Sequence, residues 1–191
     1  MQSLLLESQR AGSDDSDLGE VQDWRPEVVS QAYDCHHEIL GAFARRLLGD
    51  VQAAEDLVHD VFVLLPRVVH RLEPGRSLRS FLMGILANKA KHAARKAQRQ
   101  RRLLDRFSRE PREVGVEPEA ALSEHRLAKA LERALDRVSM NQRIAFVLCA
   151  VEGRDTLEVA EILGIPEATV RTRLYYARQK LKKLLAKEGF G

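Results

Sequence analysis

Cysteine is nearly absent from this sequence: Cys35 and Cys149 are the only two among 191 residues, and they lie far apart. That usage excludes a disulfide framework and reads as reduced thiols. Cys35-His36-His37 resembles a metal cluster, but adjacent residues point to different sides of a helix, and no second Cys/His pair has ligand spacing. No metal and no cofactor are expected. Aromatic residues make up only 5% of the chain, too few for a large β-sandwich and suited to packed helices of Leu, Ala and Val. No apolar run reaches the length of a membrane span. Leu4-Leu5-Leu6 is too short for a signal core and is followed by acids, so a cytoplasmic location is expected. The histidines His36, His37, His59, His70, His92 and His125 are scattered, and no Ser-His-Asp set or phosphate loop is visible. Neither enzymatic activity nor a small-molecule substrate is expected.

Charge is present in abundance, at 31% of residues, but it is unevenly placed. Residues 1–23 hold Glu7, Asp14, Asp15, Asp17, Glu20 and Asp23 against Arg10, a net of −5 that leaves +8 on the rest of a +3 chain. This segment is also poor in apolar residues, so a disordered acidic tail is expected over 1–23. A basic body behind it points to a polyanionic partner.

From Pro26 the pattern turns helical. Val29, Ala32, Tyr33, His36, Leu40, Phe43, Ala44 and Leu47 recur at steps of three and four. Gly49 should end that helix, and Asp50 should cap the next, whose inner face is Ala54, Leu57, Val58, Val61 and Leu65. Pro66 should kink or end it, because proline removes a backbone donor. Glu73-Pro74-Gly75 signals a turn, after which Ser77 caps a third helix with Leu78, Phe81, Leu82, Ile85 and Leu86 inward. This helix enters an acid-free stretch holding Lys89, Lys91, Arg95, Lys96, Arg99, Arg101 and Arg102.

The periodicity breaks over 106–118, which reads as a flexible linker. It resumes near Glu119, with Leu122, Leu127, Leu131 and Leu135 on one face. Ser139 to Gln142 has capping-box spacing and should start a helix running to about Val151. Gly153 ends it, Thr156 caps a short helix to Leu163, Gly164 turns the chain, and a long helix runs from about Pro166 to Lys187. The expectation is an all-α protein of two small helical domains, 24–105 and 119–191.

Residues 156–175 fit a helix-turn-helix. Ala160 stands where two helices approach closely, and Gly164 supplies the left-handed turn. Val159, Leu163, Ile165 and Val170 take the buried positions, continued by Leu174 and Ala177. The outer face carries Thr169, Arg171, Thr172, Tyr175 and Tyr176, with Arg173 and Arg178 nearby: groups suited to phosphates and base edges in a major groove.

The run Glu158-Val159-Ala160-Glu161-Ile162-Leu163-Gly164-Ile165-Pro166, continued by Thr169-Val170-Arg171-Thr172-Arg173-Leu174, resembles region four of extracytoplasmic-function sigma factors. Arg46 to Asp50, Ala54 to Phe62, Ser77 to Leu82 and Ile85 to Asn88 resemble region two of the same family. The two resemblances occur in the family's order and together span about residues 28–187.

The resemblance implies a transcription initiation factor that binds core RNA polymerase and recognises promoters, with no catalysis of its own. Glu55, Asp56, His59 and Asp60 would dock on the β′ clamp, where acids suit an arginine-lined partner. The β flap is a second implied contact. Arg76, Arg79, Asn88, Lys89, Lys91, His92, Arg95 and Lys96 would meet the minus-ten element, with the loop Leu72–Ser77 near an unpaired base. Thr169, Arg171, Thr172, Arg173, Tyr175, Tyr176 and Arg178 would read the minus-thirty-five element as duplex. An anti-sigma factor is the implied regulator. In the free chain, the acidic tail and contact between the domains would mask DNA binding. Core polymerase fixes the separation of the two domains, so two weak DNA contacts then act as one.

The sequence departs from the family pattern at several positions. Ala53 replaces the first acid of the usual Asp-Ala-Glu-Asp run. Pro66 and Phe81 stand where Trp is common, and Ala87 and His92 where Arg and Asp are frequent. Val138-Ser139 replaces Leu-Pro, and Ala168 replaces Gly. Two other readings compete: a stand-alone helix-turn-helix regulator, and an RNA-binding protein using the Lys89–Arg102 stretch. The acidic helix followed by a basic one argues against the first, and the lack of stacking aromatics near that stretch argues against the second.

Overall fold

The computed structural model describes residues 26–104 and 123–190, with side chains over 27–96 and 126–190. The acidic tail expected over 1–23, the linker expected over 106–118, and Glu119 and Leu122 lie outside the described residues. All regular structure among the described residues is helical.

The first module holds α1 (Pro26–Leu48), α2 (Val51–Val68) and α3 (Leu78–Leu104). Gly49 turns between α1 and α2 with φ of 69°, and the Asp50 side chain accepts from the Ala53 amide to cap α2. Helix α2 continues through Pro66 to Val68, where a 3-10 turn over Val69–Arg71 takes over. Proline so close to the helix end interrupts little. The Ser77 hydroxyl accepts from the Ser80 amide and starts α3. The apolar stripes of the three helices meet at Leu40, Phe43, Leu47, Leu65, Leu82 and Leu86, all fully buried. Of the residues expected inward, Tyr33 is 40% exposed and instead stacks its ring on His37.

The second module holds α4 (Ser123–Asp136), α5 (Met140–Phe146), α6 (Thr156–Leu163) and α7 (Glu167–Lys187), with a π-helical turn over Val147–Val151 prolonging α5. The expected helix to Val151 therefore has the right length but widens in its last turn. Three sequence expectations need correction here. Ser139 precedes α5, yet its side chain makes no cap bond; the helix start is held by the Arg143 amide donating to the Ser139 carbonyl. Asp155, not Thr156, caps α6 by accepting from the Glu158 amide, since a carboxylate one residue earlier reaches the same orphan donor. Thr156 instead donates to Glu167 on α7. Leu127 is 43% exposed, and the inner face of α4 is Ala130, Ala134 and Leu135.

Gly164 adopts φ of 61° between α6 and α7, as the tight turn requires. The modules share one apolar cluster: Val159, Ile162, Leu163 and Val170 join the core built by α1, α2 and α3. A smaller cluster of Ala134, Leu135, Val138, Ala177 and Leu181 belongs to the second module alone.

Candidate nucleic-acid and partner interface

Helix α2 buries Ala54, Leu57, Val58, Val61, Phe62 and Leu65, which turns the opposite side of the helix outward. Glu55, Asp56, His59 and Asp60 are exposed on that outer side. Asp60 pairs with Lys89 of α3 at 2.9 Å, and Asp56 accepts from Gln52 at 3.4 Å. Val51 and Val63 add exposed apolar surface.

Helix α3 presents the second group. Asn88, His92, Arg95 and Lys96 are exposed, while Arg76, Arg79, Lys89 and Lys91 are half-buried. Lys91 donates to the Asn88 side chain at 2.7 Å. Arg76 and Arg79 are engaged differently from the sequence expectation, since both reach the second module. Arg76 donates to the carbonyls of Glu161 and Ile162, and Arg79 lies 3.9 Å from the Glu152 carboxylate.

Helix α7 presents the third group. Its buried stripe is Val170, Leu174, Ala177 and Leu181, which leaves Arg171, Thr172, Tyr175, Tyr176 and Arg178 exposed and Thr169 and Arg173 half-buried. The two tyrosine rings meet edge to face at 5.5 Å. Glu167 organises the start of the helix. It accepts from Thr156 of α6 at 2.5 Å and from Arg171 at 2.7 Å, which ties the two helices and fixes the Arg171 guanidinium. The Thr156 hydrogen bond, followed by Arg171, holds the Glu167 carboxyl below the usual glutamate range.

One residue of the third group acts electrostatically on the second. Burial lowers the Lys91 ammonium from its ordinary value, and the positive charges of Arg173 and Arg95 lower it further. Arg173 belongs to α7, so a cation of that helix lies within electrostatic reach of Lys91 on α3. Cys35 is exposed, and burial pushes the Cys149 thiol up, away from the reactive thiolate. No group of three or more possible metal ligands occurs among the described residues.

Gly84, Arg143, Glu152 and Glu167 escaped the sequence reading. Only Gly84 carried a signal, as a glycine inside an otherwise strong helical pattern.

This architecture defines a two-module helical protein with an acidic helix face, a basic helix and a helix-turn-helix. The Sigma-70 region 2 family model matches residues 32–100, and the Sigma-70 region 4 model matches residues 128–181. The chain is 33% identical to the RNA polymerase sigma factor CarQ of Myxococcus xanthus, over 78% of this chain and 84% of CarQ. It is 34% identical to the ECF RNA polymerase sigma factor SigE of Mycolicibacterium smegmatis, over 80% of this chain and 59% of SigE. The sigma factor RpoE of Bartonella quintana, solved in complex with the anti-sigma factor NepR, superposes with a TM-score of 0.62. That match has 26% identity and covers 84% of this chain and 98% of RpoE. The chain belongs to the extracytoplasmic-function RNA polymerase sigma factors, a family of transcription initiation factors.

Proposed function

We propose that this chain binds core RNA polymerase and directs it to promoters with separate minus-ten and minus-thirty-five elements, catalysing nothing itself. The observation that carries the reading is the division of surface between helices. One helix exposes Glu55, Asp56, His59 and Asp60, and two others expose cations and hydrogen-bonding groups. Acids on α2 suit an arginine-lined docking surface on the β′ clamp. The β flap is the proposed contact of the second module. Cations on α3 suit the backbone of a melted minus-ten strand, with Asn88 and His92 available to bases. Helix α7 offers Arg171, Thr172, Arg173, Tyr175, Tyr176 and Arg178 to duplex at minus thirty-five, with Thr169 at its start.

An anti-sigma factor is the proposed regulator, a reading supported by the solved RpoE–NepR complex. A groove of about 690 Å³ is lined by Asp56 and Asp60, by apolar Leu57, Ala94 and Met140, and by Arg143. A helix with apolar and basic side chains fits it, and an occupant there covers two docking acids. No helix among the described residues is long and apolar enough to cross a membrane, and the cytoplasm, where the polymerase works, is the proposed location. The domain bounds proposed are 24–105 and 119–191.

The test is capture of core RNA polymerase by the purified chain, repeated with Glu55→Arg and Asp56→Arg together. Stoichiometric capture, weakened by the charge reversal, is expected. Capture that survives the reversal moves the docking face elsewhere. No capture, with tight duplex binding by the chain alone, favours a stand-alone regulator.

A further inference from the structure

We propose that Glu167, seated by Thr156, is a positioning residue for promoter sequence: it holds the Arg171 guanidinium as a fixed fork, so that α7 selects guanine at one minus-thirty-five position. The inference rests on the minus-thirty-five role proposed for α7 above and deepens it, by separating the group that reads a base from those that hold phosphates.

The relay crosses from one helix to the next. Asp155 caps α6, which leaves the Thr156 hydroxyl to donate to Glu167 Oε1 at 2.5 Å. The same oxygen accepts from Arg171 Nε at 3.0 Å and from Nη2 at 2.7 Å. Glu167 opens α7, and the spacing of four residues puts Arg171 beside it on one face. An exposed pair of this kind is ordinarily loose, because both side chains swing among rotamers. Here Thr156 belongs to the other helix of the helix-turn-helix and pins the carboxylate from outside α7. The Glu167 carboxyl, held below the usual glutamate range, stays ionised at neutral pH.

What this leaves of Arg171 is specific. Nε and Nη2 share one edge of the guanidinium, and Glu167 takes that edge. The edge between Nη1 and Nη2 remains, on a side chain 68% exposed. Two parallel N–H groups match O6 and N7 of guanine in a major groove. Residues near the start of a recognition helix are the ones that reach base edges, and Arg171 lies there. A phosphate contact gains nothing from such an arrangement: it needs only positive charge, which the neighbouring carboxylate offsets.

The other groups of α7 are placed differently. Thr172 donates its hydroxyl to the Ala168 carbonyl at 2.8 Å, so its one donor is engaged within the helix. Arg173 is half-buried and its charge reaches Lys91, while the charge of Arg178 reaches Cys149. These two cations suit phosphate contacts, which set register without reading sequence.

The test uses the full chain bound to core RNA polymerase and a pool of duplexes randomised over both promoter elements. Sequencing the bound duplexes reads the base preference at each position. Arg171→Ala should erase a guanine preference at one minus-thirty-five position. Glu167→Ala should weaken guanine at that same position by about tenfold, within the range a bidentate pair supplies, and leave the other positions unchanged. Thr156→Val keeps the side chain's shape and removes its donor, and it should act at the same position by about threefold. Duplexes lacking that guanine should bind Glu167→Ala as well as the wild type or better, because a negative charge has left the DNA-facing side. A uniform loss over all positions makes Glu167 a structural support and overturns the proposal. So does a preference that survives both Glu167→Ala and Thr156→Val, or one for a base other than guanine. No selection at minus thirty-five by the wild-type complex overturns the role of α7 instead, and this inference with it. If circular dichroism shows Glu167→Ala unfolded, Thr156→Val decides.

Discussion

The two modules solve the same packing problem with different side chains. The first buries large residues, among them Leu40, Phe43, Leu47, Leu65, Leu82, Met83 and Leu86, at the junction of three long helices. The second fully buries fewer large side chains, Ile144 and Leu148 among them, and fills more of its interior with Ala130, Ala134, Ala145, Val147, Val159, Val170 and Ala177. Its private cluster holds five buried residues, and much of its remaining apolar surface joins the core of the first module. Small side chains let helices approach closely, as a helix-turn-helix needs, but they bury less area and so stabilise less. The first module can stand on its own core, whereas the second draws on a neighbour. That neighbour is the first module, whose core Val159, Ile162, Leu163 and Val170 join.

The sharpest way to break this comparison is to empty each core in turn. Phe43→Ala should cost about 3–5 kcal/mol, the usual range for a fully buried aromatic ring. Leu181→Ala, in the smaller cluster, should fall at the low end for leucine, about 2 kcal/mol, because a thin core collapses more easily around a void. Chemical denaturation of the full chain reads both, and equal losses would remove the contrast.

Arg143→Ala probes the seam itself. The Arg143 side chain is 8% exposed and bonds both the Leu47 carbonyl and Asp136, the latter at 3.0 Å. Burial lowers its pKa, and Asp136 opposes that fall. Losing the cap should cost about 1–3 kcal/mol, the price of leaving a buried polar group unpaired. Hydrogen exchange should report the loss at the end of α1 as well as in α5; a loss confined to α5 would deny the link between modules.

Gly164→Ala should cost about 1–2 kcal/mol, because a Cβ is strained at φ of 61°. The effect should appear in the unfolding of the second module and leave the first unchanged.

The smallest effect concerns pH. The Glu167 carboxyl is held below its ordinary 4.5, so its bonds to Thr156 and Arg171 stabilise the fold above that value. The contribution fades as pH falls from there through the lowered folded value. A carboxyl-detected NMR titration should show Glu167 protonating later than an exposed glutamate, and Glu167→Gln should flatten the pH dependence at the α6–α7 junction.

Much of this fold was legible because local chemistry decided it. Gly49, Asp50, Ser77, Gly153 and Gly164 mark helix ends through backbone geometry and orphan donors, which depend on few distant contacts. The buried stripes of α2 and α7 followed from periodicity for the same reason. The cap of α6 went to Asp155 because two polar residues competed for one site, and spacing alone does not rank them. Leu127 has the periodicity of a core residue, but α4 turns Ala130 and Ala134 inward and leaves that leucine half in solvent. The largest gap lay between modules. A sequence shows that Arg76 and Arg79 are cations near a basic helix, not that their guanidinium groups reach a carbonyl and a carboxylate 70 or more positions away. The same holds for Arg143 and Glu152, whose partners are set by tertiary packing.

The central claim is that polymerase captures the acidic face of α2. Hydrogen exchange on the full chain, free and bound to core RNA polymerase, tests it directly. The account predicts slower exchange in α2 around Glu55 to Asp60 on binding. Unchanged exchange in α2 would contradict it.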